Sequence, residues 1–472
     1  MQRSINGGSA ASPRGRALAL WTVLAAQLML QMDFLIVIVA LPRIQQDLGF
    51  SQAALSWVPN AFGLVFGGLL LLGGRLGDMM GQVRAFKTGL AVFVLASLAG
   101  GLAQSPTVLI AARVVQGIGA ALSGPSVLAL VLVMARNDNE RAKGMSLFIA
   151  VSSVGASAGL MLGGLLTQFL SWRWSLLINV PVGVIVIMMI GRIVTETHPK
   201  RARLDIGGAI TATLGSAALV YGFISTADAG WLALGPVASF LAAGALFALF
   251  FRTERLHRAP LLNLSLLKDR RRLGGLTVMA LIVGMHFSVV FMMVQYLQEV
   301  LGWSPLFAGL AYLPLTGTVF GITHFVPRLM EVLGAQRLLI VGSLTVTISF
   351  LGFSLLDDDS SYFPAVFLPL LVHAVGIALV FAPGTVSIME GVPEEHAGAA
   401  SGLLQMDQQI GGALGIAVIA SISATHAVPG RFASGLESAF LAAAVIALAA
   451  AIIAWCAVGR APAGGTDGVR TA

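Results

Sequence analysis

At 472 residues the chain is long enough for two or three soluble domains, yet 57% of it is hydrophobic and only 10% is charged. A soluble domain carries about 25% charged residues, so soluble enzymes, secreted scaffolds and disordered proteins are excluded. The single cysteine, Cys456, permits no intramolecular disulfide, and helix packing must hold the fold.

A helix crosses the hydrocarbon core with about 20 mainly apolar residues. Runs of that kind, punctuated by charge, proline or glycine, predict fourteen transmembrane helices at 17–41, 53–73, 85–104, 107–134, 144–170, 174–191, 206–226, 232–251, 273–298, 306–327, 337–356, 362–389, 397–425 and 435–459. The first is too long for a secretory leader, contains Asp33 and runs straight into further spans, so it reads as uncleaved. With the N-terminus in the cytoplasm, inner loops and tails hold 24 of the 28 Lys and Arg; the outer loops hold Arg43, Arg173 and Arg431, and helix four holds Arg113. That asymmetry follows the positive-inside rule and puts both termini in the cytoplasm. It also accounts for the net charge of +7 without a nucleic-acid partner.

Two inner loops read alike. Gly74-Arg75-Leu76-Gly77-Asp78-Met79-Met80-Gly81-Gln82-Val83-Arg84 follows the second span, and Pro327-Arg328-Leu329-Met330-Glu331-Val332-Leu333-Gly334-Ala335-Gln336-Arg337 follows the tenth, at an offset of 253. Glu140 and Gly144 match Glu394 and Gly398 at an offset of 254. Helices one to six and nine to fourteen are therefore expected to be related halves, with helices seven and eight inserted between them. The expected organisation is a tail over 1–16, a six-helix bundle over 17–194, a two-helix insertion over 195–270, a second six-helix bundle over 271–459 and a tail over 460–472. Paired bundles of this kind suit alternating access around a midplane site.

An ionisable side chain at the centre of a membrane helix costs about 2.5 to 3.5 kcal/mol, which makes each one a functional candidate. Asp33, Arg113 and Asp407 are of this type. Counted at about 1.5 Å per residue from the expected helix ends, Asp33 and Arg113 share one depth, roughly 10 Å below the outer face. They are expected to communicate, either as a titrating acid governed by its arginine or as a static buried pair. Asp407, roughly 15 Å from the inner face, stands in a polar stretch with Gln405, Gln408 and Gln409. It either couples to substrate or bonds across helices. His286, His324 and His373 also lie inside spans and read first as packing residues.

Glycines shape two further segments. Gly155, Gly159, Gly163 and Gly164 line one face of helix five, where a neighbouring backbone can approach closely. In helix four, Arg113, Gln116 and Gly117 share one side at helical spacing, expected to face a cavity. In the inner loop, Asp78 and Arg84 flank Gly81, so a charge contact across the turn is expected to latch helices two and three.

These residues resemble the major facilitator superfamily, and within it the fourteen-helix drug:proton antiporter family. Gly74-x-Leu76-Gly77-Asp78-x-x-Gly81 with Arg84 is similar to the superfamily loop motif, Arg113-x-x-Gln116-Gly117-x-Gly119 to its helix-four motif, and Gly155-x-x-x-Gly159-x-x-x-Gly163-Gly164 to the antiporter motif. Asp33 through Pro42, Trp172-Arg173-Trp174 with Ile178-Asn179-Val180-Pro181, Gln295-Tyr296-Leu297-Gln298 with Gly302, and Gly411-Gly412-Ala413-Leu414-Gly415 extend the likeness over nearly the whole chain. The chain departs from the pattern at Met79, Gln82 and Val83, where the family usually has basic residues, and at Leu160, which replaces the proline that would kink helix five.

The resemblance implies an all-α integral membrane protein with two six-helix bundles plus two inserted central helices. It implies a proton-coupled exporter of lipophilic drugs or toxic small molecules, driven by the proton gradient without a cofactor or metal, working as a monomer in the bacterial inner membrane. Proton coupling would rest on Asp33, Arg113 and Asp407; the substrate cavity on Gln116, Gly117, Met292, Gln295, Tyr296 and Gln405; the cytoplasmic latch on Gly74, Asp78, Gly81 and Arg84. The Met-rich stretch Met285, Met292 and Met293 either lines an adaptable pocket or packs toward lipid. A narrow-specificity metabolite or antibiotic exporter, an uptake permease and a non-transporting membrane sensor remain open alternatives. No Ser/His/Asp arrangement, zinc-type His-Glu spacing or phosphate-binding glycine loop suggests an enzyme.

Overall fold

The computed structural model describes residues 13–135, 137–194, 196, 199, 205–256, 266–392, 397–428 and 432–458. The tail expected over 460–472, and that over 1–16 as far as residue 12, lie outside them. Among the described residues the regular elements are all helices: α1 Pro13–Leu48, α2 Trp57–Met80, α3 Gln82–Gly101, α4 Pro106–Val133, α5 Asp138–Phe169, α6 Asn179–Ile193, α7 Ile206–Ala229, α8 Leu234–Leu256 and α9 Arg270–Gln295. A lead-in turn, Pro305–Leu310, precedes the long segment Leu313–Phe353, after which come α12 Phe367–Met389, α13 Ala397–His426 and α14 Leu436–Ala457.

Thirteen described stretches are long and apolar enough to cross a membrane. One of them, Pro305–Phe353, has 49 residues, about twice what one crossing needs. Its helix is broken at Gly334, where φ is +78° and ψ 159°, so it supplies two spans, α10 (313–333) and α11 (335–353). The total is fourteen, and the protein is a multi-pass membrane protein. Gly81, between α2 and α3, has φ +93° and ψ 142°, a region essentially reserved for glycine. Gly81 and Gly334 stand at the repeat offset read from the two loops, so the sequence repeat is also a backbone repeat. The packing repeats too: a Cβ on Gly89 of α3 would strike the carbonyl of Gly119 of α4, and one on Gly342 of α11 would strike that of Gly376 of α12.

Several expected boundaries shift. The helix expected to end at 41 runs on through Pro42 to Leu48, and α5 begins at Asp138, not 144. The span expected at 174–191 is two pieces, Trp174–Leu177 and α6. Helix α9 ends in a π-helical turn, Tyr296–Val300, and α12 is entered through another, Tyr362–Val366.

Helix α14 shows how composition chooses faces. Ala443, Ala447, Ala450 and Ala454 are buried, while Leu441, Val445, Leu448, Ile452 and Trp455 are exposed at helical spacing. Small residues let backbones approach and leave the large side chains for the lipid. Helix α1 packs on α5 and α6, and α4 on α2 and α3; in the other half α9 packs on α12, α13 and α14, and α11 on α12 and α14.

The two halves meet along three seams. Helix α2 lies along α13, with Leu64 and Ala413 in one apolar cluster and Gly67 against Met406 and Gln409. Helix α7 closes over this seam, Thr226 Oγ1 lying 2.7 Å from Ser421 Oγ of α13. Helix α5 meets the turn Pro305–Leu310, with Gly164 against Pro305 and Gly309 against Leu160. Helix α1 meets α9 through Phe34 and Phe287, ring centroids 4.8 Å apart, and Gln298 donates to the Val39 carbonyl at 2.9 Å.

Candidate functional site

Asp33 and Arg113 are the centre of a polar cluster inside the first six helices, and neither side chain has any solvent exposure. Arg113 Nη1 donates to Asp33 Oδ2 at 2.5 Å. Two neutral amides complete the carboxylate's shell: Gln116 Nε2 donates to Oδ1 at 3.1 Å and Asn179 Nδ2 to the same oxygen at 2.6 Å. The guanidinium also donates through Nε to the Val58 carbonyl at 3.0 Å and through Nη1 to Gln116 Oε1 at 3.0 Å. Its Cζ lies 4.5 Å from the centroid of the Phe62 ring, a cation–π geometry. Arg113 Nη2 has no hydrogen-bond partner among the described residues.

Local structure explains the convergence. Arg113 and Gln116 are three apart on α4 and share a face. Asn179 opens α6 directly after the short helix Trp174–Leu177, which turns the chain back toward α1. Ser97 of α3 donates to the Phe93 carbonyl at 2.8 Å and accepts from Gln116 Nε2 at 2.8 Å, which orients the glutamine. Behind Asp33, Gly155, Gly159 and Gly163 press on Gln31, Met32 and Ile36 of α1, so the glycine face of α5 positions the helix that carries the acid. Leu160 leaves α5 as one continuous helix. Asn179, Ser97 and Phe62 complete the cluster although the residue reading did not assign them a role; only the quoted Ile178-Asn179-Val180-Pro181 stretch touched one of them.

In the other half Asp407 is half-buried on α13, and its Oδ2 has no hydrogen-bond partner among the described residues. Gln295 Oε1 on α9 and both side-chain polar atoms of Asn60 on α2 are buried in the same condition. Three helices thus carry polar atoms without a hydrogen-bond partner among the described residues, and such groups are costly unless another molecule meets them.

The residues expected to line one cavity stand in different local settings. Gln116 belongs to the Asp33 cluster, and Gly117 packs against Phe62 and Val65 of α2. Met292 and Gln295 are buried in α9, as are Met285 and Met293, so this stretch is core and does not face lipid. Tyr296 donates its hydroxyl to the Asp357 carbonyl at 2.7 Å, tying α9 to the loop before α12. Gln405 is exposed.

The loop between α2 and α3 is built differently from the expected Asp78–Arg84 contact. Asp78 Oδ1 accepts from Gln82 Nε2 at 3.0 Å. Arg84 Nε instead lies 3.8 Å from Glu196 Oε2, and the Glu196 carboxylate accepts from the backbone N–H groups of Val83 and Arg84, both at 2.9 Å. A carboxylate on the first turn of α3 suits the unsatisfied donors and the dipole there. Gly81 leaves room for it, since a Cβ would strike that carboxylate, while Gly74 rests on Pro125. At the opposite end Arg173 Nη1 and Trp172 Nε1 both donate to Asp47 Oδ2, at 2.6 Å and 2.9 Å.

The fold is shared with solved transporters. The chain matches a peptide transporter POT, crystallised with sulfate, with a TM-score of 0.69 at 14% identity, over 96% of this chain and 95% of that one. It matches the nucleoside transporter NupG with a TM-score of 0.65 at 14% identity, over 94% and 100%. Among curated proteins it is 38% identical to the cephamycin export protein CmcT of Amycolatopsis lactamdurans, over 92% of this chain and 91% of the relative. It is 38% identical to the puromycin resistance protein pur8 of Streptomyces alboniger, over 85% and 80%, and 32% identical to the lincomycin resistance protein of Streptomyces lincolnensis, over 93% and 92%. The family model of the Major Facilitator Superfamily covers residues 23–416, and the chain belongs to that superfamily.

Proposed function

We propose that this protein is a proton-driven exporter that carries drug-like or antibiotic molecules outward across the bacterial inner membrane in exchange for inward-moving protons. The observation that carries the reading is the Asp33–Arg113 pair, fully buried and held by Gln116 and Asn179. A membrane core rejects unpaired charge, so an acid kept there beside one cation is suited to exchanging a proton if the helices that carry the two shift apart. The named activities of the relatives, export of cephamycin and resistance to puromycin and lincomycin, support outward movement of bioactive compounds.

In this reading the two six-helix groups, 17–194 and 271–459, rock about the seam of α2 with α13 and that of α5 with the turn Pro305–Leu310, and α7 with α8 rides on the first. Both termini lie in the cytoplasm and a single chain is the working unit. Asp407, Gln295 and Asn60 supply the polar contacts for substrate, and Asp407 is a second acid able to respond to a cationic one. A proton carries about 2.3 kcal/mol per 100 mV and about 1.4 kcal/mol per pH unit, enough together for a roughly 500-fold gradient of a neutral compound. No covalent step and no cofactor enter this scheme.

The test is dye-dependent proton release in energised everted vesicles for the wild type, Asp33→Asn and Asp407→Asn. Lipophilic cationic dyes collapsing the pH gradient in the wild type but not in Asp33→Asn is the expected result. A folded, inserted wild type that ignores every dye overturns the broad multidrug form. Such a result leaves a narrow antibiotic exporter, the second reading that the 38% identity to a cephamycin export protein favours, to be tested with β-lactam antibiotics.

A further inference from the structure

The helices of the second half hold a buried polar chain that the reading above does not use. His286 Nδ1 of α9 lies 3.2 Å from His373 Nε2 of α12, the two rings within 10° of parallel. His373 Nδ1 lies 3.1 Å from Ser349 Oγ of α11, and Ser349 Oγ donates to the Val346 carbonyl at 2.7 Å. His373 is wholly buried with the Phe350 ring T-shaped against it. His286 is half-buried beside Phe287, the ring that meets Phe34 of the first half.

Counting hydrogens decides the tautomers. A carbonyl has no proton to give, so the Ser349–Val346 contact uses the only hydrogen the serine has. Ser349 can then only accept from His373, and His373 Nδ1 must carry a hydrogen. A neutral His373 therefore has a bare Nε2, which takes the Nδ1–H of His286. That leaves His286 Nε2 unprotonated and without a hydrogen-bond partner among the described residues. The chain is directed: it has one open acceptor at the half-buried end and is closed by a backbone carbonyl at the buried end.

We propose that His286 and His373 form a second proton-binding site, entered at His286 Nε2, which takes up one proton and shares its charge between the two rings. Addition at His286 Nε2 makes an imidazolium; passing the bridging hydrogen to His373 Nε2 moves the charge inward, and no other bond changes. A second proton would set two cations with N–H facing N–H at 3.2 Å, so the pair takes one. Charge facing the pair is sparse. On α13 the nearest acid is Asp407, one turn inward of Gly411, which packs on Ala280 and Gly284; on α1 Asp33 is turned to Arg113; on α14 Glu437 is exposed. On the α10 side the Tyr312 hydroxyl donates to the Val290 carbonyl and His324 is exposed; α11 has no charged residue over 338–353 and α12 has only His373.

The site concerns proton binding by the protein itself, so its test needs no transport substrate and stands apart from the dye experiment. The full-length protein, labelled with ¹⁵N-histidine and purified in detergent, is followed by long-range ¹H–¹⁵N spectra from about pH 3 to about pH 9, with signals assigned by His286→Gln and His373→Gln. The expected result is an Nδ1–H tautomer for His373 at the alkaline end and a single proton uptake that moves both rings' signals together. In His373→Gln the shared step is lost and the His286 midpoint moves by about one pH unit or more. An Nε2–H tautomer on His373, or two rings that titrate independently with midpoints unchanged by loss of the partner, overturns the proposal. Should His373→Gln not fold, Ser349→Ala decides the same point: the Nδ1–H preference of His373 disappears if the chain is as described and persists if it is not.

Discussion

Removing one member of the Asp33–Arg113 pair tests whether the cluster is as dry as its geometry implies. Arg113→Met leaves the Asp33 carboxylate wholly buried with only the Gln116 and Asn179 amides as donors. Breaking a buried ion pair from one side costs about 3 to 5 kcal/mol, because the remaining charge is uncompensated. Asp33→Asn strands the guanidinium instead, though the Val58 carbonyl, Gln116 and the Phe62 ring still face it. That contact with the ring offsets up to about 2 kcal/mol, so this variant is the milder of the two. The double variant removes both charges and is expected to be more stable than Arg113→Met alone, with a coupling of about 3 to 5 kcal/mol. Reversible unfolding of the purified protein by SDS in mixed micelles measures all four corners of the cycle. Additive effects, with a coupling below about 1 kcal/mol as at a solvated surface pair, would refute the buried-cluster reasoning.

Other consequences follow from close contacts. A Cβ on Gly415 would run into the backbone of Gly284, whereas nothing lies within 4 Å of one on Gly317; Gly415→Ala is expected to cost about 1 to 3 kcal/mol and Gly317→Ala to stabilise its helix by about 0.5 to 1 kcal/mol. Equal shifts in thermal unfolding would contradict this. Glu196→Ala removes the acceptor for the first turn of α3 and is expected to cost about 0.5 to 2 kcal/mol, read as faster amide exchange in peptides spanning Val83 and Arg84, with Glu196→Gln intermediate; unchanged exchange there would mean the carboxylate does not cap the helix in solution. In the loop before α12 the Ser360 hydroxyl, chiefly, holds the Asp357 carboxyl below its ordinary value of 3.8. Because folding lowers this value, the contribution is present above 3.8 and is lost as the pH falls through the still lower folded value. Ser360→Ala should bring the Asp357 midpoint back up, followed by carboxyl NMR, and an unmoved midpoint would rule the hydroxyl out as the cause.

Much of the architecture was legible in the chain because membrane insertion is a local, one-dimensional constraint. Apolar run length counted the fourteen spans, including the two that the structure joins through Pro305–Phe353, since no segment of 49 residues can cross once. The glycines at 81 and 334 stood at one repeat offset because each must supply a backbone conformation closed to other residues. Depth was counted from an α1 end at 41 that the helix overruns to Leu48, so the meeting of Asp33 and Arg113 rests on how α1 and α4 pack and not on that count. Rotation about each axis and the choice of neighbour are not local, and only the tertiary structure decided them. Arg84 chose Glu196 over Asp78 because the chain after α6 returns to the first turn of α3. Asn179 and Ser97 are common neutral residues, distinguished only by the carboxylate and the amide they meet. His286 and His373, 87 residues apart, became one hydrogen-bonded chain only when α9 and α12 were packed face to face.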